Sequence, residues 1–125
     1  KSGVVVSQKD VNQQQDFNTR GKARLVGMPL EVLVNRGSAS ASEIVAGALR
    51  DQIDAQLVGQ QTFGKGTVQD RRELSNGGGI HLTIARWLLP SGEWIHEEGI
   101  PVNVEVEQVY ETEADEQLLK AIEVL

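Results

Sequence analysis

Between Leu30 and Gly59 the hydrophobic period of the chain changes twice, and that change limits the folds open to it. Leu30-Glu31-Val32-Leu33-Val34 is a mostly apolar run of strand length, the form taken by a strand covered on both faces. A turn at Asn35-Arg36-Gly37 follows. Ala41, Ile44, Val45 and Ala48 then fall at i, i+3, i+4 and i+7, which predicts one face of a helix running to about Ile53. Ala55 to Gly59 reads as the next strand. Strand, helix and strand within about 30 residues make a βαβ unit, whose crossover is right-handed in nearly all sheets. An α/β fold is expected.

Outside this unit the pattern is simpler. Gly3 to Val6 predicts a short buried strand. Ser7 to Arg24, polar and rich in Gln and Asn, is expected to be a long loop or mobile arm. Thr67 to Leu74 and Ile80 to Leu89 read as extended arms joined by Asn76-Gly77-Gly78-Gly79, a hairpin signal. In the second arm Ile80, Leu82, Ile84 and Leu88 share a face, with Arg86 the exception. Pro90-Ser91-Gly92 is a turn, and Val102, Val104 and Val106 alternate with polar residues as in a strand. A helix from about Ala114 carries Leu118, Leu119, Ile122 and Leu125 on its apolar side. The expected fold class is therefore α/β: a βαβ unit with a mixed sheet, hairpin strands and a C-terminal helix.

At 125 residues the chain fits one domain. With no cysteine it has no disulfide framework, thiolate nucleophile or Cys-based zinc site. No run approaches the 18 apolar residues of a membrane span. The first residues, Lys1-Ser2-Gly3, lack the pattern of a secretion signal and an initiator Met, which points to a processed or excised chain. Residues 1–92 carry 11 basic and 8 acidic side chains, whereas residues 93–125 carry 1 and 10. The acidic tail repels phosphate backbones, and no basic cluster is interleaved with aromatics, which argues against nucleic acid.

Two segments can carry chemistry. Ser40 and Glu43, within Gly37-Ser38-Ala39-Ser40-Ala41-Ser42-Glu43, have the S-x-x-E spacing of a capping box. Ser40 is on this pattern a helix cap. The same position also sets a hydroxyl beside free N–H groups and the positive end of the helix dipole, which stabilise an oxyanion. A serine needs a base to become a nucleophile. The second segment, Gly59-Gln60-Gln61-Thr62-Phe63-Gly64-Lys65-Gly66-Thr67, nearly matches a phosphate-binding loop. Gly66 replaces its Mg²⁺-binding hydroxyl residue, and a strand rather than a helix follows. Lys65 is either a surface lysine or, set by its paired glycines into an apolar site, a general base. Lowering its pKa from about 10.4 to about 7–8 disfavours the charged form by roughly 4 kcal/mol. Gln69, four residues on, can orient such an amine. His81 reads as a strand-face residue. His96-Glu97-Glu98 is a poor metal set because its three residues are contiguous and no second His stands at i+4.

Taken together, Pro29 to Asn35, the GSASASEI block and LVGQQTFGKGTVQ resemble the C-terminal processing (tail-specific) serine peptidases. The likeness runs on through Thr83, Ala85, Pro90-Ser91-Gly92 and Gly99-Ile100 to residues 115–121. It departs from that family at Pro101-Val102-Asn103, where Pro-Asp is usual. The resemblance implies a Ser–Lys dyad on a crotonase/Clp-protease-like core: Ser40 as nucleophile, Lys65 as base, Gln69 assisting it, and the Ala41 N–H as one oxyanion donor. It implies no cofactor and no metal, and protein or peptide tails as substrates. It also implies an extracytoplasmic site: periplasm, cell envelope or thylakoid lumen. On this resemblance residues 1–125 are the C-terminal portion of the catalytic domain, without the PDZ domain and the N-terminal part of the core that supplies the second oxyanion donor. The chain alone is expected to be weakly active or inactive, and to form homo-oligomers through exposed strand edges. A non-catalytic ligand- or partner-binding module of the same fold is the alternative.

Overall fold

A computed structural model describes residues 3–22, 24–25, 27–109 and 113–125. Lys1 and Ser2, the Ala23 part of the expected arm and the Glu111 part of the acidic tail lie outside the described residues.

The βαβ unit forms where the hydrophobic period places it. Strand β3 (Glu31–Val34) pairs in parallel with β4 (Gln56–Gly59), and helix α1 (Ala41–Ile53) connects them. The turn into the helix is held locally: Asn35 Oδ1 accepts from Gly37 N–H at 2.9 Å, and Asn35 C=O accepts from Ser38 N–H at 2.9 Å. Ser40 is the N-cap with Glu43 at N3, as the capping box predicts. Asp54, left-handed with φ 58°, ends the helix.

A short strand β7 (Val104–Glu105) pairs in parallel on the other side of β4, giving the order β3-β4-β7. The strand expected across Val102, Val104 and Val106 is shorter because Asn103 takes over part of the ladder. Its N–H donates to Leu57 C=O at 2.8 Å, and its side-chain oxygen accepts from Leu57 N–H at 2.8 Å. A second sheet, ordered β2-β1-β6-β5, holds β1 (Val4–Lys9), β2 (Gln14–Asn18), β5 (Thr67–Glu73) and β6 (Gly79–Leu88), all antiparallel. Parallel and antiparallel pairings thus fall into separate sheets.

Three expectations are corrected. First, Ser7 to Arg24 is not wholly loop: β1 runs on to Lys9, and Gln14–Asn18 returns beside it. Asp10 makes the turn, its Oδ1 accepting from Asn12 N–H at 2.7 Å and Gln13 N–H at 2.8 Å. Phe17 then sets its ring edge-on to Trp87 at 6.1 Å. An Asx turn needs only one short acidic side chain, so polar composition hid a hairpin.

Second, the face of Ala41, Ile44, Val45 and Ala48 is not the one α1 buries: Ala41 and Val45 are exposed, Val45 to 55%, and Ile44 and Ala48 are half-buried. Glu43, Ala46, Gly47 and Arg50 have the same i, i+3, i+4, i+7 spacing, and three of them (Glu43, Ala46, Gly47) are the buried ones. Small residues there admit Leu89, which comes so close that a Cβ on Gly47 would lie 2.5 Å from it. Third, helix α2 (Glu116–Val124), capped by Asp115, begins two residues later than expected. It packs on β3 and β4 through Gln117 and Ala121 and leaves Leu118, Leu119, Ile122 and Leu125 exposed.

The core lies under α1. Leu57 and Ile100 are fully buried, and Val34, Ala46, Leu89 and Ile95 complete the cluster. Each large aliphatic side chain buried in this way contributes about 1.5–3 kcal/mol. This cluster fixes the loops that meet at the N-terminus of α1.

Candidate active site

Ser40 stands at the end of β3 and the start of α1 in a conformation L-residues rarely adopt, φ 56° and ψ −113°. Holding a non-glycine residue there costs about 1–3 kcal/mol, and such strain persists only where the surroundings impose it. A sharp strand-to-helix turn of this kind lifts a serine hydroxyl clear of the backbone. The imposing group is Glu43, one turn further along, whose Oε2 accepts from Ser40 N–H at 2.8 Å.

Glu43 does more than cap. It is completely buried, and its other bonds cross to the Gly-rich loop. Oε1 accepts from Thr62 Oγ1 at 2.5 Å and Gly64 N–H at 2.7 Å, while Oε2 also accepts from Lys65 N–H at 2.9 Å. Because Ser40 N and Lys65 N share the Oε2 acceptor, they lie no farther apart than about 6 Å, two hydrogen bonds end to end. Thr62 extends the network, its hydroxyl accepting from Ile100 N–H at 2.7 Å. Phe63 N–H donates to Ser38 C=O at 2.9 Å, a second tie between the two segments.

The turn around Lys65 is built on glycine. Gly64 has φ 88°, and a Cβ there would meet Gly99 N at 2.7 Å. Gly66 C=O accepts from Trp94 Nε1–H at 2.9 Å. The Lys65 side chain is exposed and makes no hydrogen bond or ion pair among the described residues. Gln69 lies on β5 opposite Thr83, just past a register irregularity between Val68 and Gln69. A bulge re-aims the side chain that follows it; Gln69 is exposed. Ala41 is the first residue of α1, and no described hydrogen bond uses its N–H. Beside it an open cavity of about 460 Å³, lined by Val32, Val34, Ser42 and Val45 among others, separates β3 from the start of α1.

His81 is exposed on β6. His96 packs on Trp94, ring centroids 5.3 Å apart, with Nδ1 3.3 Å from Gly64 C=O. Among the described residues no three His, Cys, Asp or Glu side chains stand together as a metal site. Sequence reasoning identified Glu43 only as a cap and missed its role in joining the two segments. The available signal was an acidic residue in a first helical turn, in a chain with a Gly-rich loop of free N–H groups elsewhere.

A strained serine at a strand-to-helix turn, joined through a buried carboxylate to a lysine-bearing glycine turn, has clear counterparts. The profile of peptidase family S41 matches residues 1–106, and the chain belongs to that family. It is 50% identical over 96 residues to the carboxy-terminal processing protease CtpA of Bacillus subtilis, covering 77% of this chain and 21% of that protein. It is 46% identical over 108 residues to the carboxyl-terminal-processing protease of Synechocystis, covering 86% of this chain and 25% of that one. Among solved structures, the photosystem II D1 C-terminal processing protease superposes with TM-score 0.77 and 38% identity, over 85% of this chain and 28% of that one. The chain thus spans about a quarter or less of the length of these curated relatives.

Proposed function

We propose that this chain carries the nucleophile and the base of a serine peptidase that cleaves the C-terminal regions of proteins. The observation that carries the reading is the Glu43 carboxylate, which holds the Ser40 and Lys65 backbones on one oxygen. Ser40 Oγ attacks the scissile carbonyl as neutral Lys65 Nζ takes its proton. The oxyanion forms against the Ala41 N–H, where the dipole of α1 also favours negative charge. The protonated amine then gives its proton to the leaving nitrogen. An acyl-enzyme remains, which a water deprotonated by the same lysine hydrolyses. Gln69, re-aimed by the bulge, orients the amine. A neutral lysine requires exclusion of water, so the exposed Lys65 needs a covering layer or the substrate itself over it. Substrates are protein tails, and the site works without metal or cofactor. On the resemblance, the protein acts outside the cytoplasm; no helix among the described residues is long and apolar enough to cross a membrane.

Lys65→Ala and Ser40→Ala in the complete enzyme should each abolish cleavage of a peptide substrate while circular dichroism stays unchanged. Turnover retained by Lys65→Ala overturns the dyad. The exposure of Lys65 favours a second reading, a binding module that performs no chemistry. That reading predicts no acyl-enzyme by mass spectrometry at any substrate concentration.

A further inference from the structure

A cavity of about 480 Å³ lies on the antiparallel sheet rather than beside Ser40, and Lys9, Arg86, Trp94 and His96 stand in its wall. Lys9, Thr67 and Arg86 stand in one cross-strand row: Arg86 on β6 is opposite Lys9 on β1 and opposite Thr67 on β5. Directly opposed residues share a face, and like charges so placed are destabilising. Neither Lys9 nor Arg86 has an ion-pair partner among the described residues. The acidic residue in the wall, Asp10, has its Oδ1 committed to the turn N–H groups of Asn12 and Gln13. The Arg86 guanidinium lies over the Trp94 ring, 4.3 Å from its centroid, which holds it in place without neutralising it. Two opposed cations facing an open cavity, one fixed by stacking, outnumber the single carboxylate in its wall.

The cavity is also tied to the lysine turn. Trp94 donates to Gly66 C=O, and His96 Nδ1 lies 3.3 Å from Gly64 C=O, so the wall grips the residues on both sides of Lys65. Thr67 is two residues from Lys65, and one strand spacing separates it from Arg86. The Arg86 backbone is then within about 12 Å of the Lys65 backbone, roughly three to four residues of extended peptide.

We propose that this cavity binds the C-terminal carboxylate of a peptide through Arg86 and Lys9, no more than about five residues beyond the bond held over Ser40. The spacing rests on the peptidase reading; the carboxylate site rests on the cavity alone. It would limit the length of the tail removed, because only a cut within that distance seats the terminal carboxylate between the two cations.

The test uses the Ser40→Ala form of the chain, so that binding is read without turnover. Acetyl-tetraalanine with a free carboxylate, its C-terminal amide, an acetylated tetrapeptide amide ending in Glu, and inorganic phosphate are titrated, with calorimetry and tryptophan fluorescence as readouts. The free acid should bind at least tenfold more tightly than the amide, and Arg86→Gln should remove most of that difference. Should Arg86→Gln fail to fold by circular dichroism, Lys9→Gln, at the exposed end of β1, carries the same expectation. Equal affinity for acid and amide overturns the proposal. So does a Glu-terminated amide that matches the free acid, which makes the ligand a side chain. Phosphate competing at the same concentration as the free acid overturns it too, because the site is then a general anion site. An acid preference, with a complete enzyme that cleaves nothing with Ser40 intact, overturns the peptidase reading and leaves the carboxylate site standing.

Discussion

Replacing Glu43 separates a clamp from a simple cap, and the two obvious substitutions should differ sharply. In Glu43→Ala four donors lose their acceptor: Ser40 N–H, Thr62 Oγ1, Gly64 N–H and Lys65 N–H. Thr62 and Gly64 are buried, and each buried donor left unpaired costs about 1–3 kcal/mol. The amides of Ser40 and Lys65 are better placed to find water and cost less. Relief from burying a carboxylate offsets part of the sum, so the net loss should be about 3–5 kcal/mol, the usual result of breaking a buried charged network. That corresponds to a fall in Tm of roughly 10–25 °C for a domain of this size. In Glu43→Gln the amide oxygen can stay at the Oε2 position and keep both Ser40 and Lys65. Its NH₂ then faces Thr62, whose hydroxyl turns round to accept, and only Gly64 N–H is orphaned. The cost should be about 1–3 kcal/mol, with peptide cleavage by the complete enzyme largely kept. Urea denaturation followed by circular dichroism reads both numbers. If Glu43→Ala is within about 1 kcal/mol of the unsubstituted chain, the clamp is not a stabilising element and the reasoning fails.

Ser40→Gly should be more stable than Ser40→Ala by about 1–2 kcal/mol, since glycine accepts φ 56° without strain; equal stabilities refute the strain at this position. Gly64→Ala should cost more than about 2 kcal/mol, because a Cβ meets the Gly99 backbone nitrogen at 2.7 Å and neither side is a movable side chain; an unchanged denaturation midpoint refutes it. Burial pushes the Asp51 carboxyl up, but its bonds to Arg50 and Ser91 outweigh this and hold it below its usual 3.8. Its contribution is therefore complete above the unfolded value and is lost as pH falls below about 4. Asp51→Asn should flatten the acid limb of the stability curve and change the limb above pH 6 little. Strands β3 and β5 are edges of their sheets, and Leu33 on β3 is 43% exposed. The chain should form dimers or larger species in light scattering at high concentration, and a strictly monomeric solution refutes this.

The elements that were legible in the sequence are those whose own residues determine them. The strand at Leu30–Val34, the helix ending near Ile53, the Asn76–Gly79 hairpin and the Ser40 cap each follow from local pattern. The orientation of α1 was not legible, because two stripes of identical spacing compete and only the position of Leu89, some forty residues away, decides between them. The outward apolar side of α2 is similar: Gln117 goes inward because its amide reaches Val106 C=O at 3.0 Å, a partner that periodicity does not reveal. Ser40 and Lys65 were legible as members of two motif blocks. What joins them was not, since Glu43 satisfies the capping pattern completely without its second set of bonds.

The Glu43 bridge also bears on how the site is lost. Helix α1 and the loop from Thr62 to Lys65 are held by one carboxylate, so an opening that frees the loop also frees the first turn of the helix. The amides of Ser40, Gly64 and Lys65 then share one opening free energy and should show a common protection factor in hydrogen exchange. On the proposed peptidase reading, a nucleophile and a base that disengage in a single event leave no half-assembled state in which an unaccompanied serine meets a passing chain. On that reading, joint release keeps a partly unfolded molecule harmless.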